Sequence, residues 1–331
     1  MDANDCCDPA RRRARNGVCE VLLEGKVAVV TGAGTGLGRA EAIALARSGA
    51  FVVVNDLGVA LDGAPDENRA ESVVSEIRKF GGEAVAHAGD VSDFDAAGAL
   101  VECAVSTYGS LDILVNNAGI LRDRMIFNMS VDDWDAVIRV HLRGHFNTSR
   151  WATSHWRRLA RRTGEPAYGR IVNTASEAFL LGSPGQPNYA AAKAGIVSLT
   201  LATARSCAKY GVLANAICPR ANTRMTGTER ADGDPDDPFG AARVTPLVTY
   251  LASPRAARVS GQVFVVYGGM IALLKAPAVD RRFDAGAAGW TAESLAGELE
   301  PLFATRTPVE DGYLATELRA LASDSWNTRE R

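Results

Sequence analysis

Seven short apolar runs, most of them followed by a longer segment of helical periodicity, set the strongest limit on what this chain can fold into. The runs are Val27–Thr31, Phe51–Asn55, Glu83–Ala88, Ile113–Asn116, Arg170–Thr174, Leu213–Cys218 and Gln262–Val266. Between them, Arg39–Ser48, Arg69–Phe80, Ala96–Tyr108 and Tyr189–Lys209 carry apolar residues at helix spacing. Near-continuous apolar runs suit strands covered on both faces, and the helices between them supply right-handed crossovers. The expected fold is α/β: one doubly wound, mainly parallel sheet with ligands at the carboxyl ends of its strands. No repeat and no Pro/Gly-rich linker divides residues 24–270, which are expected to form a single domain. Residues 1–23 are expected to be a disordered tail. Residues 271–331 read as a C-terminal extension, too short for its own core, that packs on the domain or on a partner subunit. Within it Ile271–Lys275 is expected to continue the exit of the last strand, and Thr291–Phe303 to form a short helix capped by Thr291.

Composition narrows the function by exclusion. A net charge of -3 gives no support to a nucleic-acid partner. No apolar run reaches the roughly 18–20 residues needed to span a bilayer, and no apolar signal core follows Arg11, Arg12, Arg13 and Arg15 before Val21. The six cysteines (Cys6, Cys7, Cys19, Cys103, Cys207 and Cys218) lack a metal-ligand rhythm, so no metal is expected and the cytosol is the expected compartment.

The first strand runs into Thr31-Gly32-Ala33-Gly34-Thr35-Gly36-Leu37-Gly38. A strand–glycine–helix junction lets backbone N–H groups approach a pyrophosphate at a helix N-terminus. The glycines at 32, 36 and 38 depart from the G-x-G-x-x-G spacing, so Gly32, Thr35, Gly36, Leu37 and Gly38 are candidate cofactor contacts by position, not by motif. Asp56 ends the second strand about twenty residues further on, where a carboxylate accepts from the adenosine ribose hydroxyls and repels a 2′-phosphate. With no basic residue at Thr35, the expected cofactor is NAD. An aspartate merely opening the Leu57-Gly58 turn fits the same residues. Asp90 and Val91 after the third strand, and Asn117, Ala118 and Gly119 after the fourth, are further candidates for the same ligand.

The chemical end lies further along. Tyr189 and Lys193, four apart, share a helix face that Ala190, Ala191 and Ala192 leave uncrowded for a nicotinamide-ribose. Oxidising a carbinol needs a proton acceptor at its oxygen, and a free phenol with pKa near 10 is a poor one. An ammonium a few Å away is worth about 4 kcal/mol at an effective dielectric near 20, roughly three pKa units before desolvation opposes it. Ser176, beyond the fifth strand, would donate to the substrate oxygen and hold it against Tyr189. An amphipathic tyrosine and a surface lysine fit the same spacing.

Together the Thr31–Gly38 loop, Asn117-Ala118-Gly119, Ser176 and Tyr189-x-x-x-Lys193 resemble the short-chain dehydrogenase/reductase family over residues 24–270. The resemblance implies a Rossmann-type domain with Ser176 positioning, Tyr189 as acid/base and Lys193 holding the nicotinamide ribose while lowering the tyrosine pKa. It also implies that the backbone of Pro219 to Thr223 shapes the nicotinamide site. Two departures stand out. His141 occupies the place of an asparagine that many members use for a proton relay to the lysine; it is carried as a candidate catalytic residue, with a structural histidine as the alternative. Arg220 replaces a common glycine and is expected to put a cation at the substrate mouth. Val53-Val54-Asn55-Asp56-Leu57-Gly58, His141-Leu142-Arg143-Gly144, Asn188-Tyr189 and Arg224-Met225-Thr226 are similar to the dehydrogenase unit of the type 2 peroxisomal multifunctional enzymes (17-beta-hydroxysteroid dehydrogenase type 4) and their bacterial relatives.

That similarity implies an oxidoreductase of lipid metabolism interconverting a secondary alcohol and a ketone, with a 3-hydroxyacyl-CoA or a hydroxysteroid as the bulky apolar substrate. A homodimer or homotetramer is implied by family habit. Arg122, Arg124, Arg220 and Arg224 are candidates for coenzyme A phosphates; Leu180, Leu181, Met225 and Phe127 would suit a steroid. Two other readings remain: a catalytically idle NAD-binding redox sensor or scaffold, disfavoured by the intact Ser176, Tyr189 and Lys193, and an NADPH-dependent carbonyl reductase, disfavoured by Asp56.

Overall fold

The computed structural model describes residues 21–58, 69–222, 237, 239–315 and 317–321. Its centre is an eight-stranded sheet in the order β3-β2-β1-β4-β5-β6-β7-β8. The strands are β1 (Val27–Thr31), β2 (Phe51–Asp56), β3 (Ala84–Ala88), β4 (Ile113–Asn116), β5 (Gly169–Thr174), β6 (Val212–Pro219), β7 (Val263–Tyr267) and β8 (Met270–Leu273). The first seven are parallel, and each of the seven apolar runs forms one of them to within a residue at either end. Residues alternate across the sheet: Ala28 and Val30 enter the core on one face, Val27 and Val29 that on the other. Burial on both sides is why β1 needs no polar residue before its end.

Helices α1 (Gly36–Arg47), α2 (Arg69–Lys79) and α8 (Thr245–Ala252) cover one face. The opposite face carries α3 (Phe94–Tyr108), α5 (Gly144–Thr163) and α7 (Pro187–Cys207). There Trp156 is fully buried and donates its indole N–H to Leu111 O at 2.6 Å, which fills a large apolar volume without orphaning the polar tip. Two short helices, α4 (Val131–Ile138) and α6 (Ala178–Leu181), sit at the carboxyl end of the sheet. Between α4 and α5 the chain makes one π-helical turn, Arg139–Arg143, which the sequence reading did not anticipate.

Two expectations change. Met270–Leu273 does not carry the last strand onward. It folds back antiparallel on β7 through Gly268-Gly269, Gly268 having φ +53°, so the sheet continues past the expected domain limit at residue 270. The expected tail 1–23 lies outside the described residues as far as position 20, along with Cys6, Cys7 and Cys19. Leu23, at its end, is fully buried and donates its N–H to Ser48 O at 2.9 Å. In the C-terminal segment α9 (Ala292–Phe303) starts where expected, with Ser294 taking the place usual for Glu or Gln: its hydroxyl accepts from Thr291 N–H while Thr291 accepts from Ser294 N–H. A last turn, α10 (Glu317–Ala320), returns to the sheet. Leu318 and Leu321 are buried with Ile196, Cys218 and Val265. No helix among the described residues is long and apolar enough to cross a membrane, and no group of three potential metal ligands occurs among them.

Candidate active site

The carboxyl ends of β1, β2 and β4 meet around the glycine loop. Thr31, last in β1, accepts at its hydroxyl from the backbone N–H groups of Asn117 and Ala118, at 3.0 and 3.2 Å. Asn117 in turn donates its amide to the carbonyls of Thr31 and Gly32. Gly38 is required by contact: a Cβ there would stand 2.4 Å from Gly32 O and 2.5 Å from the Asn117 amide. Gly32, at φ +60°, passes so close to Ala118 that a Cβ would lie 2.8 Å from its Cα. Gly36, Leu37 and Gly38 then open α1, whose N-cap Thr35 is extended, with no side-chain cap and no acid in the first turn. Twelve residues of helix thus point an uncapped positive end between the strands, which fits the pyrophosphate of a dinucleotide.

Asp56 lies beside this loop and accepts from Gly34 N–H and Gly58 N–H, both at 2.9 Å. The turn-forming reading of Asp56 is thus what these two bonds show. Asp90 accepts from Ser92 N–H at 2.8 Å, and the Val91 carbonyl is held by the Asn147 amide at 3.0 Å. Gly119 is the candidate that explains itself by a neighbour: a Cβ there would meet the His141 ring at 2.3 Å.

The chemical residues converge from β5 and α7. Pro187 starts α7, and buried Asn188 clamps its entry by donating to Arg122 O and Asp133 O at 3.0 and 3.1 Å while accepting from Tyr189 N–H. Sequence reading passed over Asn188, although an Asn just inside a Pro-started helix and beside a candidate tyrosine is a visible signal. Burial pushes the Tyr189 phenol up, and the neighbouring Ser176 side chain opposes that rise. Lys193 is buried, its ammonium 5.3 Å from the Tyr189 ring centre and 2.5 Å from Thr174 O. Burial lowers its pKa to about 7. The expected depression of the tyrosine by the lysine does not dominate in the protein alone, where burial is the largest influence on both groups.

His141 sits in the π-helical turn, edge-on to Tyr189 at 5.2 Å between ring centres. Its Nε2 lies 3.0 Å from Ile120 N and 2.8 Å from Ile120 O, so one nitrogen faces both a donor and an acceptor and serves only one at a time. Its Nδ1 is buried without a partner. Burial and then the Lys193 charge hold its pKa well below the usual histidine value, so His141 is neutral at physiological pH and does not titrate there. His145, one turn on, is likewise buried, its pKa lowered to about 3 by burial and the same lysine. That second histidine was not singled out from sequence; its signal is the i, i+4 spacing to His141.

A cleft of about 390 Å³ opens beside Ser176, lined also by Glu177, Leu181, Gln186, Pro219, Arg220, Asn222 and Phe239. Pro219 lines this cleft, while Thr223, Arg224 and Met225 lie outside the described residues. Arg220 does not offer a free cation at the mouth. It is paired with Glu177 at 2.6 Å, because a carboxylate beside a guanidinium outcompetes water there. Phe127 is 76% exposed and does not line this cleft.

The sequence pattern of the short chain dehydrogenases matches residues 26–234. A Mycobacterium tuberculosis protein named hydroxyacyl-CoA dehydrogenase ChsB1 is 52% identical over 307 residues, 89% of this chain and 94% of its own. The mouse peroxisomal multifunctional enzyme type 2 is 42% identical over 257 residues, 76% of this chain and 33% of that enzyme. A crystal structure of a short chain dehydrogenase from Mycobacterium avium matches with a TM-score of 0.78 and 48% identity, covering 87% of this chain and 98% of that one.

Proposed function

The chain belongs to the short-chain dehydrogenase/reductase family, and from that premise we propose that it oxidises the secondary alcohol of a 3-hydroxyacyl-CoA with NAD. The family acts on CH–OH groups with a nicotinamide cofactor, so this is an enzyme and an oxidoreductase. The observation that supports the finer reading is that Ser176 lines the cleft, with Tyr189 near it and the Lys193 ammonium 5.3 Å from the Tyr189 ring centre. The thioester class is supported by the relatives named for it and by Leu181 and Phe239 on the cleft wall. Arg122 and Arg124, both exposed, remain candidates for coenzyme A phosphates; Arg220 does not. The apolar wall together with a paired Arg220 also favours a second reading, a hydroxysteroid.

NAD is favoured over NADP by the carboxylate of Asp56 beside the loop. Gly32, Thr35 to Gly38, Asp56, Asp90, Val91, Asn117, Ala118, Gly119, Tyr189, Lys193, Pro219 and Thr223 would hold it, and when bound it accepts the hydride of the carbinol carbon. In this reading Ser176 donates to the substrate oxygen and aligns it with the Tyr189 hydroxyl, which takes the proton. Lys193 shares its proton between the ribose side and Thr174 O. His141, neutral and facing both Ile120 N–H and Ile120 O, keeps that inner end of the site dry and polar. The exposed apolar side chains Ile126, Phe127, Val131 and Phe146 supply a surface for a homodimer or homotetramer.

The test is NAD reduction, followed by absorbance, against 3-hydroxyacyl-CoAs and 17-hydroxysteroids. Turnover with the thioesters that falls by about 10²–10⁴ in Tyr189→Phe, with NAD affinity retained, is the expected outcome. Appreciable activity in the variant removes Tyr189 from the acid/base role, and preference for a steroid replaces the substrate.

A further inference from the structure

Glu177 and Arg220 tie together three parts of the chain that are far apart in sequence. Glu177 follows Ser176 beyond β5 and is 8% exposed; Arg220 follows Pro219 at the end of β6. They pair through two parallel bonds, Arg220 Nε to Glu177 Oε2 at 2.6 Å and Nη2 to Oε1 at 2.7 Å. The same Nη2 donates to Leu318 O at 2.5 Å. The guanidinium also lies 5.1 Å from the Tyr267 ring centre, and the Tyr267 hydroxyl donates to Leu321 O at 2.8 Å.

A one-turn helix cannot satisfy its own last carbonyls. Here Leu318 O within α10 is taken up by Arg220 and Leu321 O just beyond it by Tyr267, and the turn is thereby oriented on the sheet. Leu318 in the turn and Leu321 just after it belong to the apolar cluster against which Leu180 and Leu181 pack, and Ala315 N–H reaches Leu180 O at 3.2 Å. Leu181, Glu177 and Arg220 are at the same time walls of the cleft that holds Ser176. A half-buried ion pair is a poor way to gain stability alone, since apolar residues of similar size do as well or better. What it supplies is direction: a forked pair with a third bond fixes where the C-terminal turn sits.

We propose that Glu177 and Arg220 are positioning residues that fasten α10 behind the cleft and so set its apolar end wall, which selects substrates by the length of their acyl chain. The pair touches the wall, not the reacting atoms. It acts through Leu318 and Leu321 on Leu180 and Leu181. This rests on reading the site as one for 3-hydroxyacyl thioesters, and the experiment separates the two.

The full-length chain is compared with Arg220→Met, Arg220→Lys and Glu177→Gln in two measurements. Hydrogen exchange followed by mass spectrometry on the peptide covering 313–321 reads the fastening without any substrate. KM and kcat for 3-hydroxybutyryl-CoA and 3-hydroxydecanoyl-CoA read the wall. Arg220→Met should speed exchange in that peptide roughly tenfold and raise the decanoyl-to-butyryl KM ratio by about the same factor, a loss of one well-placed interaction. The KM change should exceed the kcat change. Arg220→Lys, which keeps charge but not the fork, should recover part of both. Should Arg220→Met fail to fold, Glu177→Gln, which retains an acceptor and the same size, gives the same signs at smaller amplitude. Unchanged exchange in both Arg220→Met and Glu177→Gln overturns the inference, as does a KM rise equal for both chain lengths. If the unaltered enzyme turns over neither thioester, the substrate reading fails, and the exchange result alone decides whether the pair fastens α10.

Discussion

Glu41 carries a charge-bearing group into the core: the residue is fully buried on α1, and neither carboxylate oxygen has a hydrogen-bond partner. Burial alone raises its pKa from 4.5 to about 8. The folded chain therefore keeps a proton that the unfolded chain releases above pH 4.5. The stability this provides is complete below pH 4.5 and is lost as pH climbs through about 8. Urea unfolding at pH 4.5 and pH 8.5 should show Glu41→Gln gaining on the order of 4 kcal/mol over the parent at the higher pH and close to nothing at the lower. Parallel pH slopes for the two proteins would refute it. Asp56 is a second residue whose role is decided by its neighbours, because one oxygen holds Gly34 and the other Gly58. Asp56→Asn keeps the size and removes the charge, so NAD affinity should fall about tenfold and discrimination against NADP should relax. Titration of both cofactors checks this, and unchanged selectivity would return Asp56 to the turn alone. The existence of both acids was legible in the sequence. That Glu41 faces inward was not, since Ala40 and Ala42 flank it and leave the helix face undefined.

At the scale of elements, β1 and α1 meet β4 through glycines that admit no side chain. Gly38→Ala would force its Cβ into Gly32 O and the Asn117 amide, and should cost about 1–3 kcal/mol of stability together with most of the NAD affinity. A thermal melt and a cofactor titration measure the two losses, and a variant that binds NAD normally would show that the loop gives way at little cost. The strands were readable because strands buried on both faces leave runs without polar residues. Tyr267-Gly268-Gly269-Met270 also carried a readable hairpin signal, two glycines between apolar residues, which the expectation of an onward exit overrode. The π-helical turn at Arg139–Arg143 had no such signal. Within it His141 reaches Ile120 and lies against Gly119, partners some twenty residues upstream that no local spacing announces.

For the molecule as a whole, the end of the C-terminal segment returns to the packed core, while α9 buries none of its residues. Leu318 and Leu321 bury their side chains on the sheet, each worth roughly 1.5–3 kcal/mol. Deleting residues 276–331 should therefore lower unfolding stability in urea by about 3–6 kcal/mol while the parallel sheet, followed by circular dichroism, survives. An unchanged midpoint would mean these contacts contribute nothing in solution. The sequence by itself determined the alternation of strands and helices, the glycine loop after β1, and the spacing that puts Ser176, Tyr189 and Lys193 forward as candidates, because each depends on residues close together in the chain. Only the tertiary structure decided how those groups titrate and what surrounds them. Burial holds Tyr189 up and Lys193 down, Arg220 is consumed by Glu177, and α10 returns to the wall of the cleft. Desolvation and long-range pairing depend on which atoms arrive from distant parts of the chain, and spacing along the sequence does not encode them.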